Sequence, residues 1–167
     1  PHVAFADLQG HSEGLLCLTG AAEGAMARLM AAGRPEAAGQ YGDQLRELFA
    51  DRLYIEISRS GDPIEDESED GLIEYAYARD VPLVATNPAQ FAEASFHKAH
   101  DALLCIANST HIDATDRPRS SQERWVKPAD IMEKTFADLP EALANTLVVA
   151  QRCAFAPPKR KPILPSL

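Results

Sequence analysis

The sequence predicts an α/β fold, with mainly parallel strands, helical crossovers and then a helical segment. Short apolar runs that read as buried strands alternate with longer segments whose apolar residues recur at helical spacing. Glycine and proline punctuate the junctions. The first half therefore runs strand, two helices, strand, helix, strand, an order that argues for parallel pairing through helical connections.

Leu15 to Leu18 is a short apolar run ending in Thr19-Gly20, a buried strand and its exit turn. Ala22, Met26, Leu29 and Met30 follow at helical spacing, and Gly33 suits a helix C-terminus. Pro35 restarts a helix in its first turn, with Ala38, Tyr41, Leu45 and Leu48 as its apolar stripe. Leu53, Ile55 and Ile57 alternate with Tyr54, Glu56 and Ser58, which predicts a strand with unlike faces. The acidic stretch from Asp62 to Asp70 reads as a solvated loop running into a helix buried through Leu72, Ile73, Ala76 and Tyr77. Asp80-Val81-Pro82 breaks that helix before the compact strand Leu83-Val84-Ala85-Thr86. In the second half, Ala99, Ala102, Leu103 and Ile106 form a helical stripe, and Asn108 to Glu123 reads as a long surface loop. A short helix is expected from Lys127-Pro128-Ala129-Asp130 through Phe136. Another follows Asp138-Leu139-Pro140-Glu141, with Asp138 as cap, Glu141 reaching back to it, and Leu143 and Leu147 buried as far as about Cys153. Residues 1–155 are assigned to one domain and 156–167 to a Pro-rich linker.

A chain of 167 residues is long enough for a single core, and its 46% hydrophobic and 25% charged content is that of a globular domain. No apolar run reaches the roughly 20 residues of a membrane-spanning helix, and no basic-then-apolar leader opens the chain, so the expected compartment is the cytoplasm. The first residue, Pro1, suggests a start inside a longer gene product. A net charge of -9 opposes direct nucleic-acid binding, which draws its affinity from basic surfaces. The basic cluster Lys159-Arg160-Lys161 sits in the Pro-rich tail and reads as solvated linker. Cys17, Cys105 and Cys153 form no paired framework and read as free thiols.

Sites in such folds form where strands end and the following loops converge. Two strand ends are legible, Thr19-Gly20-Ala21-Ala22 and Thr86-Asn87-Pro88-Ala89-Gln90. Ala21, Pro88 and Gln90 offer none of the Asp, Glu, His or Cys groups that a metal or acid-base site needs. Glu23 is the nearest carboxylate to the first end, and it serves equally well in a helix's first turn. His97 and His100 share a helix face without a third ligand at hand, while His2, His11 and His111 read as surface residues. No phosphate loop ending in GK[ST] and no G-x-S-x-G elbow occurs, Ser58 and Ser60 lack a basic partner at recognisable spacing, and Trp125 reads as a partly buried anchor.

Several stretches resemble, in order, the alpha (catalytic) subunit family of bacterial DNA polymerase III. They are Glu13-Gly14-Leu15-Leu16-Cys17-Leu18-Thr19-Gly20, Arg52-Leu53-Tyr54-Ile55-Glu56-Ile57, Val81-Pro82-Leu83-Val84-Ala85-Thr86-Asn87 and Ala99-His100-Asp101. The longest is Phe136-Ala137-Asp138-Leu139-Pro140-Glu141-Ala142-Leu143-Ala144-Asn145-Thr146. The resemblance implies the later, C-terminal portion of an N-terminal PHP domain, a distorted (β/α)7 barrel, with Lys161-Pro162-Ile163-Leu164-Pro165 similar to the run-in to the palm domain.

Active members of that family bind a metal cluster in the barrel and hydrolyse phosphoesters. Where they carry Ser-Gly-Cys this sequence has Thr19-Gly20-Ala21, and where they carry Thr-Asn-Asp-x-His it has Thr86-Asn87-Pro88-Ala89-Gln90. The resemblance therefore implies degenerate ligand positions at Ala21, Pro88 and Gln90, no catalytic, metal or cofactor-binding residues here, and no cofactor in this chain. The parent's magnesium and polymerase aspartates would lie outside it. The implied role is a scaffold for the rest of the alpha subunit and a docking surface for a separate proofreading exonuclease subunit, with DNA engaged only through the parent and no membrane. Unpaired strand edges of an incomplete barrel would invite self-association. The alternative reading is a free-standing PHP-type metal-dependent phosphoesterase.

Overall fold

A computed structural model describes residues 4–159. Three strands, β1 (Cys17–Leu18), β2 (Leu53–Ser58) and β3 (Leu83–Thr86), form a parallel sheet in the order β1-β2-β3. Cys17 pairs with Leu53 on one side of β2, and Ile55 to Ser58 pair with Leu83 to Thr86 on the other. A four-residue helix, α1 (Phe5–Leu8), precedes the sheet. Helices α2 (Ala25–Ala31) and α3 (Pro35–Phe49) cross from β1 to β2, and α4 (Pro63–Arg79) crosses from β2 to β3. Helices α5 (His97–Ala107), α6 (Ala129–Thr135) and α7 (Pro140–Arg152) complete the chain. This is the expected α/β architecture with its trailing helical segment. The expected boundary near residue 155 falls just past α7, and the Lys161–Pro165 stretch, most of the basic cluster and His2 lie outside the described residues.

Local chemistry sets the element boundaries. Gly20 sits at φ 87°, and a side chain on Gly24 would lie 1.8 Å from the Thr19 carbonyl oxygen, so the chain turns sharply from β1 into a 3-10 turn, Ala21–Glu23. The acidic stretch after Asp62 is helical from Pro63 onward, not a solvated loop. The Asp62 carboxylate accepts the Ile64 amide, Glu65 reaches back to the Asp62 amide at 3.2 Å, and Pro63 occupies the first turn. Acidic residues in a first turn also favour the helix dipole. Asp80, left-handed at φ 53°, ends α4.

The core gathers Met26, Leu45, Phe49, Leu53, Ile55 and Leu72 with Leu83, Phe136, Leu139 and Ala142. Strand β2 is buried on both faces save for the half-buried Glu56, rather than having unlike ones: Ser58 meets Glu65 of α4, and the Tyr54 hydroxyl meets Arg152 of α7. Tyr75, not Tyr77, is the aromatic that α4 buries; Tyr77 is 62% exposed. On α3, Gly42 and Phe49 join Ala38 and Leu45 as the buried residues. Leu147 of α7 is 68% exposed, and the helix turns Ala142 inward instead, with Asn145 donating to the Leu83 carbonyl at 2.7 Å. Asp138 does not cap α7. It pairs with Arg59, whose guanidinium also binds Glu69 and the Thr135 carbonyl and lies 4.9 Å from the Phe136 ring centre. That guanidinium holds the Asp138 carboxyl below the usual carboxylate range. Glu141, expected to reach back to the cap, hydrogen-bonds the Tyr77 hydroxyl.

Glu65 is the buried polar centre of the α4 start. Its carboxylate accepts the Ser58 and Ser60 hydroxyls and the Ser60 amide, as well as the Asp62 amide. Burial by itself would raise this carboxyl, but these hydrogen bonds outweigh it and hold the group below the ordinary glutamate value. A depressed folded-state pKa means stabilisation that is complete above the unfolded-state value of about 4.3 and is lost as pH falls from there through the folded-state value. Glu65→Gln will flatten the acid limb of a stability-versus-pH curve measured by urea unfolding. Glu65→Ala will cost about 3 kcal/mol at neutral pH, because buried donors lose their acceptor.

Two glycines of α3 give a paired prediction of opposite sign. A methyl group on Gly42 would meet the Tyr75 ring at 2.6 Å and Met26 at 2.7 Å, whereas one on Gly39 meets nothing within 4 Å. Gly42→Ala will destabilise the protein by about 1–3 kcal/mol through overpacking. Gly39→Ala will stabilise it by about 0.5–1 kcal/mol through helix propensity, both read from urea midpoints.

Candidate functional site

The three strand ends meet at Glu56. Alternation along β2 sets this side chain opposite Ile55 and Ile57, beside the ends of both neighbouring strands. Its Oε2 accepts the Gly20 amide at 2.9 Å, and its Oε1 accepts the Thr86 hydroxyl at 2.7 Å. Its own amide donates to Thr19 Oγ1 at 2.9 Å. One residue of the central strand thus ties the exit of β1 to the exit of β3. Burial raises the nearby Cys17 thiol above its ordinary value, and the Glu56 charge adds to that rise, so Cys17 stays a neutral thiol. Sequence reasoning placed Glu56 on a strand face without seeing this role. A carboxylate flanked by two buried isoleucines was the available signal.

Ala21 and Gln90 line different spaces. Ala21, at φ 41°, lines a cavity of about 10 Å³ with Glu56, Ser58 and Glu65, space for one water at most. Gln90 lines a separate hollow of about 460 Å³ with Glu23, Asp62, Arg119 and Arg124, and its amide donates to the Arg124 carbonyl at 2.7 Å. Pro88 lines neither; it lies half-buried where Asn87 turns its side-chain amide toward the Trp125 carbonyl at 3.0 Å. The 3-10 turn that begins at Ala21 ends at Glu23, so a single turn borders both spaces.

Most of the remaining candidates have structural partners, while the buried Nε2 of His100 has no hydrogen-bond partner among the described residues. Glu23 pairs with Arg28 at 2.7 Å on the surface, and Asp62 pairs with Arg124 at 3.1 Å. Ser58 and Ser60 are buried against Glu65. His97 Nε2 lies 3.0 Å from the Ser120 carbonyl, and both the His97 and His100 rings are tilted against Phe91. Asp101 binds Arg117 at 2.5 and 2.8 Å, and that guanidinium holds its carboxyl below the usual range. Cys105 is buried, Cys17 half-buried and Cys153 exposed, all as free thiols. Trp125 is half-buried, with Lys127 5.6 Å from its ring centre. Among the described residues no three His, Cys, Asp or Glu side chains come together as a metal-binding group. No helix among them is long and apolar enough to cross a membrane.

Residues 1–60 match the family model described as PHP domain. The DNA polymerase III subunit alpha of Caulobacter vibrioides is 48% identical over 99% of this chain. Its counterpart in Rickettsia bellii is 41% identical over 99%, and that of Escherichia coli strain K12 is 35% identical over 85%. The chain spans 14% of the length of the first two relatives and 12% of the third. With the parallel sheet and its helical crossovers, these matches agree with part of a PHP barrel. The chain belongs to the DNA polymerase III alpha-subunit family, within the region of that subunit that carries the PHP domain.

Proposed function

We propose that this chain is a non-catalytic PHP segment of a replicative DNA polymerase alpha subunit, one that supports the polymerase core and offers a docking surface to a separate proofreading exonuclease subunit. Its parent carries out template-directed DNA synthesis in the bacterial cytoplasm, using magnesium at aspartates outside this chain. The observation that carries the reading is the chemistry of the strand ends. A catalytic PHP site needs clustered thiolate, carboxylate and imidazole donors, and Ala21, Pro88 and Gln90 supply a methyl group, a ring without a donor atom and a neutral amide. The carboxylate set between them, Glu56, already accepts a hydrogen bond on each oxygen. One carboxylate alone does not replace the three missing donors. With a methyl group, a proline ring and an amide at those positions, the residues present do not fit a metal cluster.

The charge supports the same reading. A net charge of -9 opposes close approach to phosphates, which favours DNA contact through other parts of the parent. The docking surface is the accompanying role: a PHP domain without its own nuclease chemistry leaves proofreading to a partner.

Elemental analysis and a nuclease assay test the proposal. Purified protein, dialysed against zinc or manganese, will retain less than one ion per chain and will leave a chromogenic phosphodiester and a 3′-labelled primer uncut. Stoichiometric metal accompanied by hydrolysis would instead identify a free-standing phosphoesterase.

A further inference from the structure

Helix α5 is inverted with respect to the protein that carries it. A surface helix normally buries its apolar stripe and leaves its polar side to water. Here the inward side is largely polar, with the buried Cys105 and the half-buried Leu104 its apolar members. Asp101 grips Arg117, whose side chain is only 5% exposed, His97 meets the Ser120 carbonyl, and the His97 and His100 rings pack on Phe91. The apolar stripe points outward. Ala99, Ala102, Leu103 and Ile106 fall at i, i+3, i+4 and i+7, all are exposed, and Leu103 and Ile106 are 62% and 75% so. Phe96, 51% exposed at the start of the helix, continues the stripe one turn back. No residue of α5 belongs to the hydrophobic core cluster. The residues whose spacing predicted this helix thus form an apolar stripe that no described residue covers.

We infer that this face, Phe96, Ala99, Leu103 and Ile106, is an intramolecular docking surface, covered in the full alpha-subunit polypeptide by an apolar surface from the remainder of that polypeptide. The inference rests on the proposed reading of the chain as a segment of such a subunit, and adds the face through which it supports the rest. Contiguous exposed apolar groups mark interaction surfaces. The chain spans 14% of the length of its relatives, so most of their polypeptide lies outside it and is available as the occupant. The composition of the stripe selects among partners. It contains no charged or hydroxyl side chain, which is the character of a permanent, core-like interface rather than of one that opens and closes between subunits. A second copy is the weaker occupant, because each copy brings a net charge of -9 to the encounter.

The test uses the full-length alpha-subunit polypeptide that contains this chain. Leu103→Cys, a mild change, is labelled with a maleimide and the labelled peptide quantified by mass spectrometry. The introduced thiol will react at least about tenfold more slowly than in the urea-unfolded polypeptide, since only local opening would expose it. Leu103→Lys with Ile106→Lys will lower the melting temperature of the full-length protein and make proteolysis near residues 97–107 faster. Labelling as fast as in urea, with an unchanged melting temperature for the double variant, overturns the inference. So does protection that appears only when the exonuclease subunit is added, or that rises with protein concentration as a second copy would require. A full-length polypeptide that fails to extend a primed template refutes the proposed function instead, whereas fast labelling in one that does extend it refutes only this assignment of the face.

Discussion

Strand β2 is buried on both faces, and its surroundings are arranged to satisfy the polar side chains it carries inward. Ser58 is buried and Glu56 half-buried beneath the start of α4 and the Ala21–Glu23 turn, and a buried polar group without partners costs about 1–3 kcal/mol. Glu56 is answered by the ends of both flanking strands, through the Gly20 amide and the Thr86 hydroxyl. Ser58 is answered by Glu65, and Glu65 by Ser60 and Asp62, which fixes where α4 starts. The left-handed Gly20 and the crowded Gly24 follow from the same requirement, since the chain must double back at once for the Gly20 amide to reach Glu56. Satisfying one strand thus sets the geometry of three loop exits.

That arrangement commits the strand-end chemistry to structure. The carboxylates nearest the strand ends, Glu56 and Glu65, accept amides and hydroxyls from their own backbone neighbourhood, and the cations nearby are matched just as locally. Arg59 clamps Glu69 and Asp138, and Arg124 takes Asp62. Among the described residues these carboxylates do not gather with further donors into a group of three that could hold a metal. The same groups instead join segments distant in sequence: Arg59 links the end of β2 to α4 and to the turn between α6 and α7.

How much of this was legible depended on whether local pattern or tertiary contact decided the outcome. The sheet, its parallel sense and helices α2 to α4 followed from periodicity and from Gly33, Pro35 and Asp80, because each is a local steric or capping effect. The Asp62–Asp70 stretch was misread because its polarity masked a capping box, although Asp62, Pro63 and Glu65 spell one out. Asp138 fits a cap in sequence, but the charge of Arg59, seventy-nine positions away, took it. Tyr77 and Leu147 hold apolar positions in their helices and still face outward, since periodicity gives a stripe and not its direction. At the strand ends, Ala21, Pro88 and Gln90 were legible as side chains, whereas the Glu56 junction was not, because no spacing links Gly20, Glu56 and Thr86 before the strands pair.

The two halves of the chain are also held by different forces. The sheet with α2 to α4, joined by Phe136 and Ala142, is fastened by apolar burial, which is non-directional and grows with area. Residues 87–126 are braced internally by directed polar contacts, Asn87 to the Trp125 carbonyl, the Gln90 backbone amide to the Arg124 carbonyl and Asp101 to Arg117, and the Asp62–Arg124 pair ties the segment to the start of α4. Segments with few buried apolar contacts open at lower free energy than the core they border. An excursion held this way, with its apolar helix face turned outward, is the part of the domain whose stability depends most on what lies against it. The hydrophobic pattern of α5 contributes little to this chain's own core, and the docking inferred for it would set that pattern against a surface beyond the chain.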